Sequence, residues 1–246
     1  MDYPEMKHPG SFYKKVAPND PYWDLSHAPK IVASPLQGKR LLFLGSSVTL
    51  GLRSNNEAIA DYLAAQDGAL IVKEAVSGTT LRQENPGDLS YLSRLLRSES
   101  YRGCATFDAV IVQLSTNDAW DEKIFGQPLE NENPATTYGA IEAIITAIEK
   151  RWGCPVYFYS GARYDTFNGA SYRKLVVGMK EIAAKRKVGF LDLFDDESFN
   201  DLGVAHYPYW MSDGIHPYRS GYRAWWTPYF RAYLSQNLCK SSLFSL

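Results

Sequence analysis

The sequence has little that suits a secreted, membrane-spanning or nucleic-acid-binding protein. Its three cysteines (Cys104, Cys154 and Cys239) lie far apart without a CxxC pair, which predicts reduced thiols in a cytoplasmic protein rather than a disulfide framework. No apolar run approaches the roughly 18 residues of a membrane-spanning helix, and the first residues lack the basic start and apolar stretch of a signal peptide. Lysine and arginine total 26 against 27 for aspartate and glutamate, a balance that excludes the basic surface of a general nucleic-acid binder.

Apolar and aromatic residues, in contrast, are plentiful. Hydrophobic types make up 45% of the 246 residues and aromatics 14%, and this length predicts one α/β domain with embellishments. Six of the thirteen prolines lie in residues 1–38, a segment with no helical or strand period. Its aromatic residues Phe12, Tyr13, Tyr22 and Trp23 predict an N-terminal arm packed on the body, with a mobile tail as the alternative.

Short apolar runs alternate with amphipathic segments from residue 39 onward. Short, largely apolar runs are typical of parallel strands buried on both faces, and they occupy residues 40–45, 69–75, 107–114, 155–160 and 188–194. Helical spacing of apolar residues falls at 56–66, 137–151, 170–187 and 219–237. This alternation predicts a three-layer α/β/α sandwich, with a central parallel sheet of about five strands and helices on both faces.

The turn after the first predicted strand is rich in hydroxyl groups. It reads Gly45-Ser46-Ser47-Val48-Thr49-Leu50-Gly51, and ligands of such sheets bind outside the carboxyl ends of the strands. Glycine permits a tight turn, and the following helix offers free N–H groups and the positive end of its dipole. A hydroxyl here suits a nucleophile, a phosphate-binding turn or a simple helix cap. The spacing differs from G-x-S-x-G, so an α/β-hydrolase elbow is not indicated.

Two other predicted strand ends offer hydrogen-bond donors. Asn117, in Ser115-Thr116-Asn117-Asp118, carries a neutral amide suited to a developing oxyanion, although an Asx turn or helix cap is the commonest role of such residues. Gly78 follows the second strand and would bring a bare N–H to the same edge of the sheet, or form an ordinary turn.

The segment before the last predicted helix contains a carboxylate and an imidazole three residues apart. It reads Ser212-Asp213-Gly214-Ile215-His216-Pro217. A general base for a serine needs an imidazole oriented by a carboxylate, and one loop would supply both groups. The alternative is a helix cap with a solvent-exposed histidine.

Together these four loops resemble the motifs of the SGNH (GDSL-type) hydrolase family. The first block of that family, Gly-Asp-Ser followed by an apolar residue and Thr, corresponds to Gly45-Ser46-Ser47-Val48-Thr49. The glycine of the second block falls on Gly78, and the third block, Gly-x-Asn-Asp, on residues 115–118. The last block, Asp-x-x-His, falls on Asp213 and His216. The resemblance covers residues 39–237 and implies a flavodoxin-like SGNH hydrolase fold, with a catalytic domain over 39–246.

The resemblance also implies a serine ester hydrolase. Ser47 would be the nucleophile, His216 the general base and Asp213 the residue that orients it. The backbone N–H groups of Ser47 and Gly78 and the amide of Asn117 would form the oxyanion hole. No metal or organic cofactor is expected.

Two positions depart from the family pattern. Ser46 replaces the aspartate of the first block, a residue that takes no part in the chemistry. Ser115 replaces the glycine of the third block, which changes the local backbone requirement but leaves the asparagine in place.

The expected substrate is a small-molecule or carbohydrate ester with a short acyl group such as acetate. Loops that mix polar and aromatic residues suit a sugar ring better than a long acyl chain, and they make Trp120, Arg163, Tyr207 and Trp210 candidate substrate-binding residues. Packing of these aromatics within the loops is the alternative. We expect no nucleic-acid partner and no membrane span.

Two other functions are compatible with parts of the pattern. A hydroxyl-rich turn after the first strand of a doubly wound sheet also suits a phosphate- or flavin mononucleotide-binding module, which leaves Asn117 and the Asp213–His216 pair unexplained. A hydrolase-like protein that binds carbohydrate without turnover is the third possibility.

Overall fold

A five-stranded parallel sheet forms the centre of the molecule. The computed structural model describes residues 15–97, 101 and 106–241. The strands are β1 (Arg40–Gly45), β2 (Leu70–Ala75), β3 (Ala109–Gln113), β4 (Val156–Tyr159) and β5 (Gly189–Leu191). They are ordered β2-β1-β3-β4-β5, and each neighbouring pair is parallel. Both the sheet and its parallel direction agree with the prediction.

Helices connect the strands and cover both faces of the sheet. They are α1 (Ser47–Leu50), α2 (Ile59–Asp67), α3 (Tyr91–Arg97), α4 (Thr137–Trp152), α5 (Gly169–Arg186), α6 (Glu197–His206), α7 (Arg219–Gly221) and α8 (Thr227–Ser241). A π-helical turn, Tyr222–Trp226, joins α7 to α8. Hydrophobic spacing does not predict α1, α3 or α6. The first two are too short to show a period, and α6 buries mostly small or polar residues, with Phe199 as its one large apolar side chain in the buried set.

The alternation of side chains along the strands divides the core in two. Leu42 and Leu44 of β1 face one layer and pack with the isoleucines of α4, whereas Leu41 and Phe43 face the other layer with Tyr62 of α2. The side chains of residues 41–44 are all fully buried. Both faces of the strand are therefore covered, which is why residues 41–44 are all apolar. In the described ranges, no helix combines the length and the apolar character that a membrane span requires.

The described part of the N-terminal segment, residues 15–38, lies against the second of these layers. Trp23 and Leu36 are buried among the apolar residues of that layer. The Trp23 indole N–H donates to the Tyr209 hydroxyl at 3.0 Å. Phe12 and Tyr13, which we expected to pack in the same way, lie outside the described residues, as does Cys104.

Candidate active site

The turn that carries Ser47 is held by the side chain of Gln113 at the end of β3. The Gln113 side-chain carbonyl accepts hydrogen bonds from the backbone N–H groups of Ser46 (3.0 Å) and Thr49 (3.1 Å) and from the Thr49 hydroxyl (2.8 Å). A Cβ atom at Gly45 would lie 1.7 Å from the Thr49 hydroxyl oxygen, so this position has room only for glycine. These contacts place Ser47 at the first residue of α1.

The imidazole of His216 bridges Ser47 and Asp213. Its Nε2 atom lies 2.8 Å from Ser47 Oγ, and its Nδ1 atom lies 3.0 Å from each carboxylate oxygen of Asp213. A carboxylate only accepts, so Nδ1 carries the proton and Nε2 is the acceptor that faces the serine hydroxyl. Ser47, His216 and Asp213 thus form a chain of hydrogen bonds from hydroxyl to carboxylate.

Asp213 is held in its ionised form. Burial by itself would raise the pKa of Asp213, but the hydrogen bond from His216 and those from the backbone N–H groups of Ile215 (2.8 Å) and His216 (2.7 Å) lower it well below its usual value. An ionised carboxylate stabilises the imidazolium that forms when His216 takes a proton.

Three further hydrogen-bond donors lie on the neighbouring loops or on the serine itself. The backbone N–H groups of Ser47 and Gly78 donate to no acceptor among the described residues, and Gly78 has a left-handed φ of 79°. The amide nitrogen of Asn117 donates to the carbonyl of Thr79 at 2.8 Å, which uses one of its two hydrogens. Each of these groups therefore retains a hydrogen for a ligand.

Ser115, which departs from the family pattern, takes part in the contact between these loops. Its hydroxyl donates to the Thr79 carbonyl at 3.2 Å and accepts from the backbone N–H of Asn117 at 3.1 Å. The substitution thus adds a link between the loop of Asn117 and the turn of Gly78.

Arg94 on α3 is a site-forming residue that sequence reasoning missed. Its buried guanidinium donates to the carbonyls of Gly45 (2.7 Å) and Glu74 (2.9 Å) and to the hydroxyl of Thr79 (3.2 Å). It therefore ties the end of β1, next to Ser47, to the turn that carries Gly78. No local pattern marks Arg94, because the groups that it joins at Gly45, Glu74 and Thr79 lie elsewhere in the sequence.

Asp118 fixes the other side of the Gly78 turn. Its buried carboxylate accepts from the backbone N–H groups of Leu81 (2.8 Å) and Arg82 (3.3 Å) and from the hydroxyl of Thr137 (3.2 Å). Burial raises the pKa of Asp118 to about 6, although these hydrogen bonds oppose the rise. Asp118 is thus a cross-link between loops, in addition to starting a short 3₁₀ turn.

A cavity of about 730 Å³ opens beside the loop that carries Asp213 and His216. Arg163 and Tyr207, two of the predicted substrate-binding residues, line it together with Gly214 of that loop. The buried side chains of Met211 and Trp225 also contribute to its wall. The cavity is large enough for a small ligand or part of a larger one.

The other two predicted substrate-binding residues differ in position. Trp120 is 64% exposed, and its ring lies 6.3 Å from that of Phe167, a residue that lines the cavity. Trp210 is fully buried, with its ring stacked on His206 at 4.1 Å and on Trp225 at 5.5 Å. The prediction of a substrate contact for Trp210 is therefore corrected, because its ring packs within the core.

Comparisons with known proteins match most of the chain to one family. Residues 43–224 match the GDSL-like Lipase/Acylhydrolase family. Among curated proteins, no relative matches the chain.

Solved structures with the same fold include three of note. A protein from Lactobacillus plantarum is 21% identical, with 82% of this chain and 98% of that chain covered and a TM-score of 0.66. The aryl esterase of M. smegmatis is 19% identical, with 81% and 99% covered and a TM-score of 0.56. A family two carbohydrate esterase from Clostridium thermocellum, in complex with cellohexaose, is 15% identical, with 81% and 64% covered and a TM-score of 0.55. At these identities the likeness is one of fold.

Proposed function

The chain belongs to the GDSL-like Lipase/Acylhydrolase family, a family of hydrolases that act on esters, and from this premise we propose a serine mechanism for it. The hydroxyl of Ser47 attacks the acyl carbonyl while Nε2 of His216 takes its proton. The alcohol leaves with that proton, and a covalent acyl-serine remains. Water then attacks the acyl-serine, with His216 again as the base, which releases the carboxylic acid and restores Ser47.

Asp213 and the three donors have separate roles in this proposal. Asp213 keeps the imidazole in the tautomer that presents Nε2 to the serine and stabilises its charged form. The N–H groups of Ser47 and Gly78 and the amide of Asn117 stabilise the negative charge that develops on the carbonyl oxygen.

The observation that carries the proposal is the 2.8 Å contact between His216 Nε2 and Ser47 Oγ. The position of Asp213 beside His216 also favours a hydrolase over a phosphate- or flavin mononucleotide-binding turn. A phosphate needs donors and positive charge, whereas the ionised Asp213 beside His216 would repel it.

The test is turnover of p-nitrophenyl acetate by the wild type and by Ser47→Ala. We expect the substitution to reduce kcat to near background and to abolish labelling by a fluorophosphonate. Ser77→Ala, which removes an exposed hydroxyl next to Gly78, is the matched control and should keep both. Full activity of Ser47→Ala would refute the proposal.

For the substrate, we propose a short-chain ester, such as an acetyl group, carried on a carbohydrate. Among the described residues, the exposed aromatic side chains are Trp120, Phe167 and Tyr207. Phe167 and Tyr207 line the cavity beside the acid–base pair, and Trp120 packs on Phe167. Exposed apolar surface of this kind marks binding sites, and polar groups such as Arg163 and Asn200 stand among the aromatics. The neighbour from Clostridium thermocellum that holds cellohexaose supports the same class of ligand.

A panel of esters tests the substrate proposal. We expect kcat/KM to be higher for p-nitrophenyl acetate than for the octanoate, and acetate to be released from an acetylated cello-oligosaccharide. Phe167→Ala should raise KM for the oligosaccharide, whereas Val177→Ala, which removes an exposed side chain of α5, is the control. Preference for the long chain would overturn the acetyl assignment, and binding of the oligosaccharide without acetate release would indicate a non-catalytic carbohydrate binder.

A further inference from the structure

The helix that follows His216 takes its N-terminal cap from a distant part of the chain. Tyr218 occupies the cap position of α7 and makes no capping hydrogen bond through its side chain. Instead, the backbone N–H of Arg219 donates to the side-chain oxygen of Asn19 at 2.9 Å, and that of Ser220 to the carbonyl of Pro18 at 3.1 Å. The first N–H groups of a helix need such acceptors, and here the N-terminal arm provides them.

Asn19 itself is held on three sides. Its side-chain nitrogen donates to the backbone carbonyl of Arg53 at 2.9 Å, and its backbone carbonyl accepts from the guanidinium of Arg219 at 3.2 Å. Arg219 also pairs with Glu57 at 2.6 Å. The cap is therefore a fixed contact between the arm and the chain just beyond His216.

The arm also contacts the chain just before the loop that carries His216. The hydroxyl of Tyr209 donates to the carbonyl of Val16 and accepts from the indole of Trp23. The hydroxyl of Ser220 donates to the backbone carbonyl of Tyr209 at 2.8 Å. This bond joins the segment before the loop to the segment after it.

Between these contacts lies the acid–base loop, residues 211–217, which contains Asp213 and His216. Its base is closed by a bridge between Met211 and Pro217 and by a hydrogen bond from the backbone N–H of Tyr218 to the carbonyl of Trp210 at 2.9 Å. The arm therefore contacts the chain on both sides of this loop, at Tyr209 before it and at Arg219 and Ser220 after it.

We propose that residues 16–23 of the arm are a positioning element for His216, and that Asn19 is its central residue. The proposal rests on the proposed role of His216 as the base that activates Ser47. The family match begins at residue 43, so the arm lies outside the matched residues. Small displacements of a catalytic group lower kcat strongly because the reactive geometry is narrow.

Three full-length variants test the proposal. Asn19→Ala removes the acceptor for the N–H of Arg219, and we expect kcat for p-nitrophenyl acetate to fall about tenfold, within what small misplacements cost, with little change in KM. Asn19→Asp keeps an acceptor that suits a helix N-terminus and should restore most of kcat. Ser34→Ala is the control, because Ser34 belongs to the same arm but bonds to Asp67 of α2 at 2.7 Å, and it should keep the wild-type kcat.

A spectroscopic measurement reports on His216 without turnover. In the ¹⁵N–¹H spectrum of the histidine side chains, Asn19→Ala should shift the imidazole signals of His216, whereas Ser34→Ala should not. Unchanged signals and kcat in Asn19→Ala, or equal losses in Ser34→Ala, would overturn the positioning role. An inactive wild type would count against the esterase instead, and the spectra would still decide whether the arm positions His216.

Discussion

Asn117 shows how one side chain of the proposed oxyanion hole is held in place. Its side-chain amide donates one hydrogen to the Thr79 carbonyl, and its backbone N–H donates to the Ser115 hydroxyl. The second amide hydrogen therefore has a fixed direction, because the partners Thr79 and Ser115 belong to loops that are bonded to each other. A donor that is oriented in advance stabilises an oxyanion without reorganisation at the moment of reaction.

Replacement of Asn117 by alanine is therefore expected to affect the chemical step. We predict a fall in kcat of about 10²–10³-fold, the usual loss for one oxyanion donor, and a much smaller change in KM. Steady-state kinetics with p-nitrophenyl acetate measures both. Asn131→Ala, at an exposed position that bonds only within its own loop, serves as the control, and an equal kcat in the two variants would exclude Asn117 from the oxyanion hole.

At the scale of elements, the site depends on how the ends of β1 and β2 are joined. One terminal nitrogen of Arg94 on α3 donates to the Gly45 carbonyl and the Thr79 hydroxyl, and the other donates to the Glu74 carbonyl. Only a planar group with several donors can satisfy these acceptors together. The short helix α3 thus contributes to the candidate site through the contacts of Arg94.

The Arg94→Lys variant tests whether the site needs the donor geometry of the guanidinium or only its positive charge. Lysine keeps the charge but lacks the fork of donors, so buried carbonyls lose their partners at a cost of about 1–3 kcal/mol in the free energy of unfolding. We also expect a lower kcat, because the Ser47 and Gly78 turns are no longer held together. Urea denaturation and ester kinetics measure the two effects. Arg97→Lys changes the same residue type on the same helix at an exposed position and should leave kcat unaltered; equal behaviour of the two variants would contradict the role of Arg94.

At the scale of the whole molecule, Asp118 should make the stability of the fold depend on pH. Its pKa is about 6 in the folded protein and 3.8 without the effects of folding. The folded protein therefore holds the proton more tightly. The resulting stabilisation is complete below about 3.8 and is lost as the pH rises through about 6. Asp213 acts in the opposite direction, but its lowered pKa confines that effect to more acidic solutions.

The comparison of wild type with Asp118→Asn isolates this contribution. Between pH 7 and pH 5, the free energy of unfolding of the wild type should rise by about 1 kcal/mol relative to the variant. Urea denaturation of both proteins at the two pH values provides the difference, in which effects of other titrating groups cancel. Parallel pH dependence of the two proteins would show that Asp118 does not titrate in this range.

The sheet and its main helices were predictable from local patterns. The part of a parallel strand that is covered on both faces must be apolar, and residues 41–44 of β1 show this over four consecutive positions. The long helices α4 and α5 have enough turns to display an apolar face. The resemblance also named Ser47, Gly78, Asn117, Asp213 and His216, because each stands in a short motif after a strand or before a helix.

Other parts of the site had no local pattern to reveal them. Trp210 stands in an aromatic cluster that suits a binding loop as well as a core, and only its neighbours in space show that it is buried. Gln113 and Arg94 act through backbone groups of distant segments, and any residue type offers those acceptors. Asn19 caps a helix 200 positions further along the chain, so its role exists only once both segments have packed.

The order of apolar and polar residues was thus sufficient to determine the layers, the parallel strands and the edge at which polar loops gather, because burial and helical periodicity are properties of neighbouring residues. Tertiary structure alone decided that Nε2 of His216 lies 2.8 Å from the Ser47 hydroxyl across 169 positions of sequence. A separation of that kind is the sum of every crossover and packing contact between the two residues, and no short stretch of chain contains it.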